Sequence, residues 1–134
     1  MRPYLALFEL SYLSKRLKQE GVEFIVAPYE ADAQLALLSK SGAVDCVISE
    51  DSDLLVFGCT QVMFKMDDSG EGKLIRLARL TECRSPSDFG AFSHKMFRQM
   101  CILSGCDYLE SIKGIGLKRA HQAITNCGTA ARVS

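Results

Sequence analysis

The sequence predicts an α/β fold: a parallel-sheet core followed by a helical segment. Three observations carry this. Helical spacing and short strand-like apolar runs alternate through the first half of the chain. Each run ends at glycine, proline or an acidic pair. The last third returns to helical spacing around a glycine-bearing turn.

From Tyr4 to Glu20, Leu5, Phe8, Tyr12, Leu13 and Leu17 recur at helical intervals, and Gly21 reads as the C-terminal cap. Val22 to Ala27 reads as a buried strand closed by Pro28. A helix follows from Glu30 to Ser39, ending near Gly42, and Val44 to Ser49 reads as a second strand. Strands joined through a helix run parallel, so their carboxyl ends open on one edge. Asp53 is placed to cap a short helix through Leu54–Phe57 to Gly58. Gln61–Met66 and Lys73–Leu77 read as a hairpin around the polar turn Asp67–Gly72, whose acids lack the spacing of a calcium loop. Ala78–Phe92 is the least regular part. Ser93 is expected to cap a helix with Phe97, Met100, Cys101 and Leu103 toward a core, and Thr125–Ser134 is expected to fray. The domain reading is a partial α/β core over 1–92 and a helical segment over 93–134.

The chain has 134 residues, 48% hydrophobic and 24% charged, enough for one domain with a modest core. Net charge is zero, so bulk charge points to no class of partner; acids crowd between Glu30 and Asp53, and bases flank them. The six cysteines form no C-x-x-C, and His94 and His121 are not spaced with them as a zinc set, which suggests free thiols in a reducing compartment. No run has the length of a membrane span and nothing at the start reads as a secretory signal, so a soluble intracellular protein is expected; a monomer is expected as well.

Two acid pairs stand at successive strand ends, Glu30 with Asp32 and Asp51 with Asp53. Ligands gather along that edge in open α/β sheets. Two unit charges about 4 Å apart repel by roughly 4 kcal/mol at an effective dielectric near 20, so such a cluster calls for protons or cations. An all-oxygen set suits Mg²⁺ or Mn²⁺. The competing reading is helix capping, since carboxylates also complement free amides at helix starts. Asp107, at the end of a later apolar element, is a further candidate ligand or a turn aspartate. Gly114 and Gly116 permit a tight turn before a helix whose free amides suit a phosphate, with Lys113, Lys118 and Arg119 beside them; the competing reading is a helical corner with solvated bases.

Taken together, Ala27-Pro28-Tyr29-Glu30-Ala31-Asp32-Ala33-Gln34, Glu50-Asp51-Ser52-Asp53-Leu54-Leu55, Gly105-Cys106-Asp107-Tyr108 and Gly114-Ile115-Gly116 resemble the structure-specific 5′ nucleases of the flap endonuclease family. Cys101 to Leu109 and Phe57-Gly58-Cys59 are similar to its exonuclease-one branch. The resemblance implies a PIN-like 5′-nuclease core with a helix–two-turn–helix element. It implies that Glu30, Asp32, Asp51, Asp53 and Asp107 are ligands of two Mg²⁺ ions in a phosphodiester hydrolase, Mn²⁺ serving as well, one ion activating water and the other steadying the leaving oxygen. It further implies that Gly114, Gly116, Lys118 and Arg119 meet duplex DNA. A K⁺ ion would be held by carbonyls near Ser104, Ser111 and Ile115. Substrates would be duplexes with 5′ ends, nicks or flaps, met in the nucleus during replication, repair or recombination.

The family's glycine-rich amino terminus, first aspartate-bearing strand and helical arch have no counterpart here, so the chain resembles the internal half of such a nuclease. A sheet without its first strand is expected to keep an open edge. Two functional readings follow, a Mg²⁺-dependent 5′ nuclease and a catalytically incomplete fragment that still binds duplex DNA. An RNA-directed nuclease of the related small α/β type fits less well, because such domains lack a duplex-gripping corner like that at Gly114.

Overall fold

The computed structural model describes residues 3–109 and 111–128, with the backbone alone for residues 3–10. The chain forms two compact units, Met1–Ala31 and Asp32–Ser134.

The first unit holds α1 (Pro3–Gln19). Gly21 takes φ +68°, as a helix-ending glycine must, and the Gly21 and Val22 amides donate to the carbonyls of Lys18 and Leu17 at 3.2 and 2.9 Å. Residues 22–27 correct the sequence reading: they form no strand, and Val22, Ile25 and Val26 are exposed. Apolar composition alone cannot make a strand, which exists only where a neighbour supplies ladder hydrogen bonds. Among the described residues no ladder includes this segment.

The second unit is built on α2 (Ala31–Ser41), β1 (Val47–Ile48), α3 (Asp53–Phe57), β2 (Gln61–Phe64), β3 (Lys73–Arg76), a 3-10 helix (Leu77–Glu82), α4 (His94–Ser104) and α5 (Leu117–Cys127). β1 pairs parallel with β2 through Val47–Val62 and Ile48–Met63, and β2 pairs antiparallel with β3, with Val62 opposite Ile75. The parallel strand–helix–strand unit thus lies between Val47 and Phe64, with α3 as its crossover, one step later in the chain than the spacing predicts. The expected strand over 44–49 shrinks to two residues.

The hairpin forms as predicted. Asp67 accepts from the Ser69 and Glu71 amides at 2.9 and 3.0 Å and from the Ser69 hydroxyl at 2.6 Å. Ser93 caps α4 by accepting from the Met96 amide at 3.2 Å. Two cores result. Ala36, Val47, Leu54, Cys59 and Val62 form one; Phe92, Met100, Ala120 and Ile124 form the other. The expected fraying from Thr125 is corrected in part, since α5 runs to Cys127 and the Thr125 hydroxyl donates to the His121 carbonyl at 2.8 Å. The remainder of that expectation, 129–134, lies outside the described residues.

Candidate metal centre and nucleic-acid interface

β1 delivers the chain into Ser49–Ser52, where hydrogen bonds fold it back into α3. The Asp51 amide donates to Ser49 Oγ at 3.0 Å, and the Asp53 amide donates to Asp51 Oδ1 at 2.9 Å. Asp51, rather than Asp53, is therefore the acid that caps α3, and the Ser52 side chain makes no cap hydrogen bond. Asp53 stands in the first turn, half-buried. Glu50 Oε1 accepts from the Lys65 amide at 2.6 Å, which ties this loop to the end of β2.

Asp107 reaches the same neighbourhood from a distant part of the chain. After α4, Gly105 turns at φ +111°, and a Cβ there would lie 2.8 Å from Ser111 Cβ. Cys106 and Leu109 exchange backbone hydrogen bonds, leaving Asp107 and Tyr108 exposed at the tip of a tight turn. The electrostatics register the approach. Burial pushes the Asp53 carboxyl above the ordinary carboxylate range, and the charges of Asp51 and then Asp107 push it further. Asp53 in turn acts on Cys101, whose thiol is pushed up to about 11, chiefly by burial.

Asp32, in the first turn of α2, is felt at Cys59. Burial raises that thiol, Lys40 opposes the rise and Asp32 adds to it. Glu30 is exposed and belongs to the first unit. Among the described residues, no three His, Cys, Asp or Glu side chains stand close enough to hold one ion. Asp51, Asp53 and Asp107 are thus brought within electrostatic reach of one another but do not form a closed ligand set. Their chemistry fits a hard divalent cation: the donors are carboxylate oxygens, and a cation would relieve the repulsion that raises Asp53.

A cleft of about 410 Å³ adjoins this group, lined by Asp53, Phe57, Cys101 and Cys106 together with Lys40 and Arg98. The two cations carry no motif. Lys40 reads from sequence as an ordinary base in the last turn of a helix, and only the fold brings it to the cleft.

The duplex-binding candidates occupy the corner between α4 and α5. Ser104 and Ser111 line one concavity with Asp107, of about 640 Å³. The Ser104 hydroxyl donates to the Cys101 carbonyl at 2.8 Å, and the Ile115 amide donates to the Ile112 carbonyl at 2.9 Å while the Ile115 side chain packs on the second core. Gly114 takes φ +84°, and Arg119 Nη1 donates to its carbonyl at 2.7 Å. Arg119 therefore braces the turn that its charge accompanies. Gly116 is the N-cap of α5, and Lys118 is exposed in the first turn.

Residues 21–107 match the family model described as the XPG I-region. The chain belongs to the XPG I-region family. Among its relatives, Exonuclease 1 of Oryza sativa subsp. japonica is 56% identical over 108 residues, 81% of this chain and 13% of the relative. The structure of flap endonuclease-1 from Methanococcus jannaschii superposes with a TM-score of 0.76 at 29% identity, over 98% of this chain and 39% of that one. The eukaryotic junction-resolving enzyme GEN-1 binding potassium gives 0.71 at 29% identity, over 88% and 30% of the two chains. GEN-1 with product DNA and a Mg²⁺ ion gives 0.65 at 28%, over 82% and 27%. These relatives bear out the resemblance to flap-endonuclease-type nucleases and the 5′-nuclease α/β fold. This XPG I-region chain spans about an eighth of the length of the rice relative it matches and under half of each structure.

Proposed function

We propose that the chain is the internal region of a structure-specific 5′ DNA nuclease that hydrolyses phosphodiesters at 5′ ends, nicks or flaps in repair, replication or recombination. The observation that carries this is the convergence of Asp51 and Asp53, at the start of α3, with Asp107, beyond α4, felt as the raised Asp53 carboxyl. With Asp32, these residues would hold two Mg²⁺ or Mn²⁺ ions. Such ions, when bound, supply Lewis-acid charge at a phosphodiester.

The chain's own residues do the rest. Asp51 is fixed by the Asp53 amide on one oxygen, which leaves its other oxygen for a ligand. Burial and the neighbouring charges raise the Asp53 carboxyl, and a cation would relieve that repulsion. The corner at Gly114 and Gly116 presents Lys118 and Arg119 to duplex phosphates, and carbonyls near Ser104, Ser111 and Ile115 would take K⁺. The GEN-1 structures with potassium and with product DNA and a Mg²⁺ ion support a reading with these ligands. The setting would be the nucleus.

A second reading, duplex binding without catalysis, is favoured by one observation: no three described acids close on a single ion. Manganese separates the two. In the nuclease reading, Mn²⁺ broadens the amide resonances around Asp51, Asp53 and Asp107 in the wild-type chain and not in Asp51→Ala/Asp53→Ala, and Mg²⁺-dependent cleavage of a 5′-flap duplex exceeds that of the double variant. Absence of broadening overturns that reading. If binding to the duplex survives without it, with a log K against log salt slope reduced by about 1 in Lys118→Ala, the second reading holds.

A further inference from the structure

We propose that Lys40 is a positioning residue that sets Asp53 for metal binding by gripping the far end of α3, an inference that rests on the metal-binding reading above.

α3 has five residues, too few for a helix that persists by its own hydrogen bonds. Its placement must come from contacts at its two ends and its middle. Asp51 secures the first amide, and Leu54, fully buried, anchors the body. The other end is held from outside. Lys40 Nζ donates to the Phe57 carbonyl at 2.6 Å, and His94 Nε2 lies 3.1 Å from the Leu55 carbonyl.

The residue before Lys40 holds the same turn from its other side. Ser39 is 3% exposed, and its Oγ accepts from the Thr60 amide at 3.0 Å and pairs with the Thr60 hydroxyl at 3.0 Å. The last turn of α2 thus clasps the chain on both sides of Gly58. Gly58 completes the clasp at φ +97°, and a Cβ there would lie 2.6 Å from Lys40 Cε.

A plain dipole role for Lys40 would turn its ammonium toward the carbonyls that end α2. It lies instead on a carbonyl that ends α3, and it lines the same cleft as Asp53. A helix of five residues has too few internal hydrogen bonds to hold its start independently of its end, so freeing its carbonyl end loosens the acid at its start. Outer groups that orient a ligand directly change metal affinity about 10–100-fold; Lys40 acts on Asp53 through α3, so the lower end of that range applies.

The experiment uses the full 134-residue chain and titrates Mn²⁺, reading the apparent Kd from amide broadening around Asp51, Asp53 and Asp107. Lys40→Met keeps the aliphatic stem and removes the donor, and its Kd is expected to weaken about tenfold or more. Lys40→Arg, which keeps a donor on a long stem, is expected to recover most of that affinity. A thermal melt accompanies each titration. If Lys40→Met fails to fold, Lys40→Gln, whose donor is too short to reach Phe57, takes its place with the same expectation. A lowered melting temperature with wild-type Mn²⁺ affinity overturns the positioning role, as does failure of Lys40→Arg to recover affinity. No broadening in the wild-type chain removes the metal-binding reading and this inference with it, so the two failures are distinguishable.

Discussion

Asp53 and Asp67 carry carboxyls shifted in opposite directions, and the causes differ. Burial and the charges of Asp51 and Asp107 raise Asp53, whereas the Ser69 hydroxyl and the Glu71 amide lower Asp67. Linkage then gives opposite signs. A folded state with a raised carboxyl binds a proton more tightly than the unfolded chain, so Asp53 costs stability at neutral pH, and the cost disappears as pH falls through its folded pKa. Asp67 adds stability at neutral pH and loses it on acidification through its own lowered value. Asp53→Asn is therefore expected to raise the melting temperature at pH 7, by a free energy below about 1 kcal/mol because the site is partly open to water. The gain should shrink to nothing as melts are repeated down into the ordinary carboxylate range. The same substitution should abolish Mn²⁺ broadening, a signature of an acid kept for chemistry at the expense of the fold.

Elements in this chain begin and end where side-chain chemistry dictates, and their loss should be measurable one end at a time. α4 begins at Ser93, whose hydroxyl takes the Met96 amide; Ser93→Ala should lower stability by about 1 kcal/mol in urea denaturation. α3 ends at Gly58, where the left-handed conformation penalises any side chain. Gly58→Ala should cost about 1–2 kcal/mol by the same measurement and should also disturb the Lys40 contact with Phe57. β1 shows the contrary case. Val44–Ser49 has the residues of a full strand, yet only Val47 and Ile48 pair, with Val62 and Met63 of β2.

For the molecule as a whole, the second unit contains two cores, and they should respond separately. Leu54 and Ile124 are each fully buried, one in either core. Leu54→Ala and Ile124→Ala should each cost about 2–5 kcal/mol. Hydrogen exchange should accelerate first in β1, α3 and β2 for Leu54→Ala, and first in α4 and α5 for Ile124→Ala. Uniform acceleration in both variants would show a single cooperative core instead. The Asp53–Asp107 neighbourhood draws on elements of both cores, so either variant should weaken Mn²⁺ binding.

Much of this protein is written along the chain. The glycine that ends α1, the Ser93 cap, the Asp67–Gly72 hairpin turn and the acid pair at 51 and 53 are local devices, set by residues a few positions apart, and spacing alone exposes them. The distant acid Asp107 is also legible as a candidate ligand or turn aspartate, though its spatial neighbours are not. Tertiary structure alone decided three matters. Residues 22–27 find no ladder partner among the described residues, and a strand depends on a partner that its own residues cannot supply. Asp51 rather than Asp53 does the capping, since a helix start is located by backbone geometry to the residue and composition locates it only roughly. Lys40 meets a carbonyl of another helix, a contact between residues 17 positions apart that no local pattern encodes.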